Sequence, residues 1–255
     1  MHRKALTIAI AALLVAGASQ ASAQSLQNWM DRGYFNFNVG FESTSGTLND
    51  ATTFRIYEED GTKSIETAVD SGAFVDFSVG GRVWRNVSVG LGYHREATTG
   101  QASLTASVPN PIVFNRNRSV ALDIDDLGRV ERAIHLQVGY MLVFNEKLSV
   151  HVFGGPSFFR LTQDVVADLS FTEQPPAFTS VTATPIFGEQ KKSVTGANIG
   201  GDVTYLFYDN GSVKLGGGAF LRYSGATAAV PILGTAAIES DLGGLQIGFG
   251  ARVRF

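Results

Sequence analysis

Apolar and polar residues alternate one by one along most of this chain. In the segment ending at Phe255, Leu245, Ile247, Phe249, Ala251, Val253 and Phe255 alternate with Gln246, Gly248, Gly250, Arg252 and Arg254. A strand turns successive side chains to opposite faces, so one face here is wholly apolar and the other carries arginines, an amide and glycines. The same split recurs upstream. Val213, Leu215, Ala219 and Leu221 alternate with Lys214, Gly216, Gly218 and Arg222; Ile134, Leu136, Val138, Tyr140 and Leu142 with His135, Gln137, Gly139 and Met141. Val87, Val89, Leu91 and Tyr93 oppose Ser88, Gly90, Gly92 and His94, and Phe35, Phe37, Val39 and Phe41 oppose Asn36, Asn38, Gly40 and Glu42. Val75, Phe77, Val79 and Val83 oppose Asp76, Ser78, Gly80 and Arg82. Ile199, Val203, Tyr205 and Phe207 oppose Asn198, Gly200, Asp202 and Thr204. Leu148, Val150 and Val152 oppose Ser149, His151 and Phe153, with Phe153 off the strict pattern. The pattern predicts eight strands, each about long enough to cross a bilayer when tilted.

The links between strands alternate too. Trp84-Arg85-Asn86, Phe144-Asn145-Glu146 and Tyr208-Asp209-Asn210-Gly211 read as tight turns, the last with an Asn-Gly pair suited to positive φ. The other links are long: roughly residues 43–72, 97–128, 160–193 and 225–240. Transmembrane barrels behave this way, with short periplasmic turns and longer extracellular loops. Tyr34, Trp84, Phe144, Tyr208 and Phe255 fall at the predicted periplasmic ends, and Tyr93, Phe158 and Tyr223 near the other boundary, as two interfacial girdles would. A soluble barrel needs apolar side chains inside, and eight strands enclose too little volume for so many Phe, Leu and Val. A two-sheet sandwich shares the local pattern but does not predict alternating link lengths. The expected fold is therefore all-β: a single closed antiparallel transmembrane barrel of eight strands, with ten as the alternative.

Residues His2, Arg3 and Lys4, the apolar stretch from Ala5 to Gly17, and Ala21-Ser22-Ala23 have the form of a cleavable signal peptide, too short in its apolar part to span a bilayer as a helix. The expected organisation is a signal peptide over 1–23, a periplasmic lead-in over 24–32 that lies at the interface and contains Trp29, and a barrel over 33–255. Without cysteine the chain has no lipoprotein attachment site, disulfide or thiolate metal site. A formal charge of −3 without a basic run argues against nucleic acid as a partner.

These residues resemble the small outer-membrane β-barrel proteins of the OmpA-, OmpX- and OmpW-like kind, often labelled porin family. The resemblance spans the expected mature chain as a pattern. Its most specific part is the strand Gly243 to Phe255, which looks like the signal read by the outer-membrane insertion machinery, with Phe249, Val253 and Phe255 as its apolar marks. The Phe153-Gly154-Gly155-Pro156-Ser157-Phe158-Phe159 stretch is also similar to the family. The resemblance implies insertion in a Gram-negative outer membrane, with that membrane's lipid and the insertion machinery as partners. It implies no single activity.

The inward face carries the candidate chemistry. Glu42, Asp76, Glu96, Glu131 and Asp202 against Arg82, Lys214, Arg222, Arg252 and Arg254 predict a paired polar network, because an isolated buried charge is costly. Such a filling makes a plug, although a narrow conduit stays open as an alternative. His94, His135 and His151 share the inward parity; they read either as a metal or proton-dependent site or as further polar filling. A lipid-modifying enzyme is the third reading. It needs a His–Ser pair with an acidic partner, and no His-x-Ser element occurs; Ser149 beside His151 sits at the periplasmic turn. Residues 45–72 form an acidic patch, with Asp50, Glu58, Glu59, Asp60, Glu66 and Asp70 against Arg55 and Lys63. Residues 98–128 alternate through Leu104, Val108, Ile112, Val113, Val120 and Leu122, either as a projecting hairpin or as an extra strand pair. The expectation is a monomeric structural or surface-interaction protein acting through its loops, not an enzyme, with no cofactor and an unnamed loop ligand.

Overall fold

The computed structural model describes residues 27–44, 46–233 and 237–255; the expected signal peptide lies outside them. Ten strands follow one another, all in antiparallel pairs: β1 (Gly33–Ser43), β2 (Gly46–Ile56), β3 (Glu59–Val69), β4 (Gly72–Trp84), β5 (Val87–Pro109), β6 (Asn117–Val143), β7 (Leu148–Glu173), β8 (Val181–Asp209), β9 (Lys214–Pro231) and β10 (Ala237–Arg254). The order around the sheet is β5-β4-β1-β10-β9-β8-β7-β6, and β6 pairs back onto β5. Eight strands therefore close a ring. β2 and β3 stand outside it as a hairpin.

Several strands are far longer than a membrane requires. β5 to β8 run for 23, 27, 26 and 29 residues, against the roughly 9–11 that a tilted spanning strand needs. The surplus lies at the end away from the short turns, and its polarity is reversed. Near the turns, Phe41, Val79, Leu91, Val138, Phe207, Ile247 and Phe249 point outward and exposed while charged groups fill the inside. Further along the same strands, Gln101, Ser103, Thr105, Asp123, Asp125 and Ser170 point outward. There Leu104, Ala106, Val108, Ile124, Leu161, Val165 and Leu169 pack inside, in one core with Leu48, Ile65, Val230 and Leu242. One continuous wall thus serves two solvents. Its first storey turns apolar side chains to lipid; its second hides them from water.

The β2–β3 hairpin completes the second storey. β4 begins only at Gly72, leaving the outer half of β5 without a neighbour, and β3 takes that edge with Thr62 to Thr67 opposite Ser107 to Ala102. Leu48 and Ile65 enter the shared core, and Phe54 stacks on Phe171 of β7 at 5.1 Å.

Three expectations need correction. The long links are mostly strand: the alternation continues through them with its sign inverted, so a rule seeking apolar residues on the lipid side reads them as loop. Residues 98–128 extend β5 and β6 as the projecting hairpin, and the pair beyond eight strands comes instead from residues 46–69. Tyr34 is 1 % exposed and points inward, so it does not belong to the interfacial girdle. A Cβ on Gly80 or Gly90 would lie 2.5 or 2.4 Å from the Tyr34 ring or hydroxyl, so those two glycines provide its space.

Candidate functional site

Strand alternation brings the inward polar residues into tiers. In the middle tier, Arg222 on β9 donates to Asp76 on β4 at 2.7 Å, to Gln246 on β10, and to Nδ1 of His94 on β5 at 3.2 Å. A guanidinium only donates, so Nδ1 of His94 is the acceptor and its proton sits on Nε2, 2.7 Å from Glu42. Gln246 donates to Glu42 at 3.0 Å and to Ser224 at 3.1 Å, and Asn38 to Asp76 at 3.3 Å. Nearer the short turns, Arg252 binds Asp202 through two bonds of 3.1 and 2.5 Å. Thr204 donates to the same carboxylate, while Arg254 donates to Thr204 and Asn36 and lies over the Tyr34 ring. Towards the second storey, Arg129 meets Glu131 at 3.5 Å and donates to Gln163 and Ser240, while Glu131 accepts from the Gly243 amide. Every charge named here is nearly fully buried.

Glu42, Asp76, His94, His135, Asp202, Arg222, Arg252 and Arg254 all lie in this filling. Arg82 and Lys214 lie apart from it, at the rim beside the short turns. There Arg82 donates to the Trp29 carbonyl at 2.5 Å and Lys214 pairs with Asp31 at 2.8 Å. Both hold the lead-in. Trp29 is 2 % exposed and packs on Tyr34 and Met141, with Asn86 accepting from its amide. The expectation of an interfacial Trp29 is therefore corrected: its ring packs inside the mouth, while Gln27, Asn28 and Met30 beside it stay exposed. Arg129 is a site residue that the sequence marks only by its shared parity with Glu131 two residues on. Phe249 and Phe255 point outward, and the Phe255 carbonyl accepts from the Arg32 and Gly33 amides.

The histidines do not converge. His94 and His135 rings are 6.3 Å apart, but His151 lies with Ser88, its Nε2 2.8 Å from the hydroxyl, and His135 Nδ1 lies 2.7 Å from Ser157. Two His–Ser pairs thus exist, across strands where sequence spacing could not show them. All four residues are buried in the filling. Among the described residues no group of three His, Cys, Asp or Glu side chains gathers to hold a metal.

The far end is bound together by one arginine. Arg118, at the start of β6, donates to both carboxylate oxygens of Glu173 on β7 and, at 2.6 Å, to the Pro109 carbonyl of β5. It also donates to the carbonyls of Phe178 and Ser180, while Tyr57 from the β2–β3 turn donates to Glu173 at 2.9 Å. One ion pair thus ties three tips. The Arg118 guanidinium holds the Glu173 carboxyl below its usual range. Lys63, mostly buried on β3, pairs with Asp168 on β7 at 2.6 Å, and that bond likewise lowers the Asp168 carboxyl. Between β5 and β6, Ile112, Val113 and Phe114 protrude, 62, 45 and 71 % exposed.

A closed ring with a lipid-facing apolar band, a charged and hydrogen-bonded interior and alternating short and long links defines an outer-membrane β-barrel. Its short turns face the periplasm and its second storey the outside. Solved structures similar to it include Neisserial surface protein A (12 % identity, 88 % of this chain and 97 % of that one, TM-score 0.40). Others are Ail of Yersinia pestis (8 %, 87 % and 99 %, 0.37) and OprG of Pseudomonas aeruginosa (9 %, 88 % and 97 %, 0.39). No family model and no curated protein matches the sequence.

Proposed function

We propose that this barrel is a surface-contact protein, anchored by its first storey and acting through its second. The observation that carries the reading is the extracellular extension of β5 to β8, which has its own apolar core and presents Ile112, Val113 and Phe114 to solvent at its tip. Loops that merely joined spanning strands would need neither the core nor the Arg118 clamp. Against a conduit stands the interior, where buried Arg222, Arg252 and Arg254 fill the lumen with bonds to other strands and Trp29 is buried at the periplasmic mouth.

The test combines two readouts. Cells displaying the wild type should adhere to protein- or glycan-coated surfaces better than cells displaying the I112S/V113S/F114S variant, and the refolded wild type should be silent in planar bilayers. Steady ion-selective channels, with adhesion no better than that of cells lacking the protein, would move the function into the lumen.

A further inference from the structure

Where the wall changes polarity, three adjacent strands carry arginine in the same outward row. Arg95 on β5 is directly opposite Arg132 on β6, and Arg132 is directly opposite Arg160 on β7. All three are exposed. Directly opposed residues bring their Cβ atoms within about 4.5–5.5 Å, and like charges so placed repel. None of the three has a hydrogen bond or ion pair with a described residue. The row is flanked by uncharged Val75 on β4 and Ser193 on β8. The next outward acid on β7 is Asp164, one of whose oxygens already accepts from the Gly128 amide. Among the described residues no acid pairs with this charge.

The row's position says what does. Two residues nearer the periplasm on the same strands, Tyr93, Ile134 and Phe158 form the preceding outward row, again in direct register and exposed to lipid. The arginines therefore stand at the first polar step above hydrocarbon, at headgroup depth. Guanidinium groups match phosphate oxygens bidentately and do not lose their charge on partial burial.

We propose that Arg95, Arg132 and Arg160 form a binding site for the headgroup phosphate of an anionic glycolipid in the outer leaflet. Acyl chains would lie along Tyr93, Ile134 and Phe158, and the site fixes the barrel's depth and its lipid neighbour. It stands independently of the surface-contact reading, because it faces the membrane sideways and not the exterior.

Native mass spectrometry of the refolded mature chain tests it, using lipid A with both phosphates, the same lipid dephosphorylated, and the R95Q/R132Q/R160Q variant. The wild type should retain the phosphorylated lipid roughly tenfold or more over the dephosphorylated one, and the variant should lose that preference. R85Q, on the periplasmic rim, should retain lipid as the wild type does. Equal retention of both lipids by the wild type overturns the proposal, whether or not the variant folds. So does a folded triple variant that retains phosphorylated lipid as the wild type does.

Discussion

Inside the first storey, a side chain's worth depends on the partner it faces. Asp202 accepts both bonds from Arg252 and a third from Thr204, so its removal leaves a fully buried guanidinium without its counter-charge. Breaking one side of such a pair costs on the order of 3–5 kcal/mol. Asp202→Ala should therefore lower the stability of the lipid-refolded barrel by about that much in urea titration, and Asp202→Asn, which keeps one acceptor oxygen for Arg252, by less. An unchanged midpoint for Asp202→Ala would mean that water reaches Arg252. Parity in the sequence was enough to put Glu42, Asp76, Asp202 and the strand arginines on one face. It could not say which acid meets which base, because partners such as Arg222 and Asp76 lie 146 positions apart. Tyr34 escaped for another reason: an aromatic at a strand end suits a girdle, and only the facing Gly80 and Gly90 show that the lumen has room for its ring.

Single elements show where the sequence was legible and where it was not. The spanning halves of the eight ring strands were, because one lipid-facing polarity runs through all of them. Their outer halves keep the alternation but reverse its sense, as at Leu104 and Val108 against Ser103 and Thr105, so they looked like long loops. The β2–β3 hairpin reads as an acidic loop because acids such as Glu66 face water while Ile65 and Leu48 face the core. What locks these outer halves together is titratable. Glu173 has its carboxyl lowered in the folded state, chiefly by the Arg118 hydrogen bond, below the roughly 4.3 of an unfolded glutamate. Its contribution is thus full above that unfolded value and is lost as pH falls through the folded one. Asp168 acts in the same direction, but its side chain is 59 % exposed and solvent screens most of its effect. Amide exchange around residues 109–118 and 173–181, corrected for intrinsic rates, should quicken as pH drops below about 4 while the spanning strands stay protected. In Arg118→Ala the same amides should exchange fast at every pH. Tips that stay protected in that variant would show that apolar packing alone holds them.

For the molecule as a whole, the central claim is that one β wall crosses from lipid to water between its first and second storeys, and reverses its polarity there. Strand β6 carries both regimes on one outward face, from Val138, Leu136 and Ile134 through Arg132 to Asp125, Asp123 and Ala121. The chain has no cysteine, so single cysteines placed at these positions can carry spin labels without competition. The measurement to make is the relative accessibility of each label to oxygen, which concentrates in the bilayer, and to a water-soluble nickel chelate. Labels at 134, 136 and 138 should favour oxygen, labels at 121, 123 and 125 should favour nickel, and the crossover should fall at 132. Nickel-favouring labels at 136 and 138, or oxygen-favouring labels at 121 and 123, would contradict the two-storey barrel.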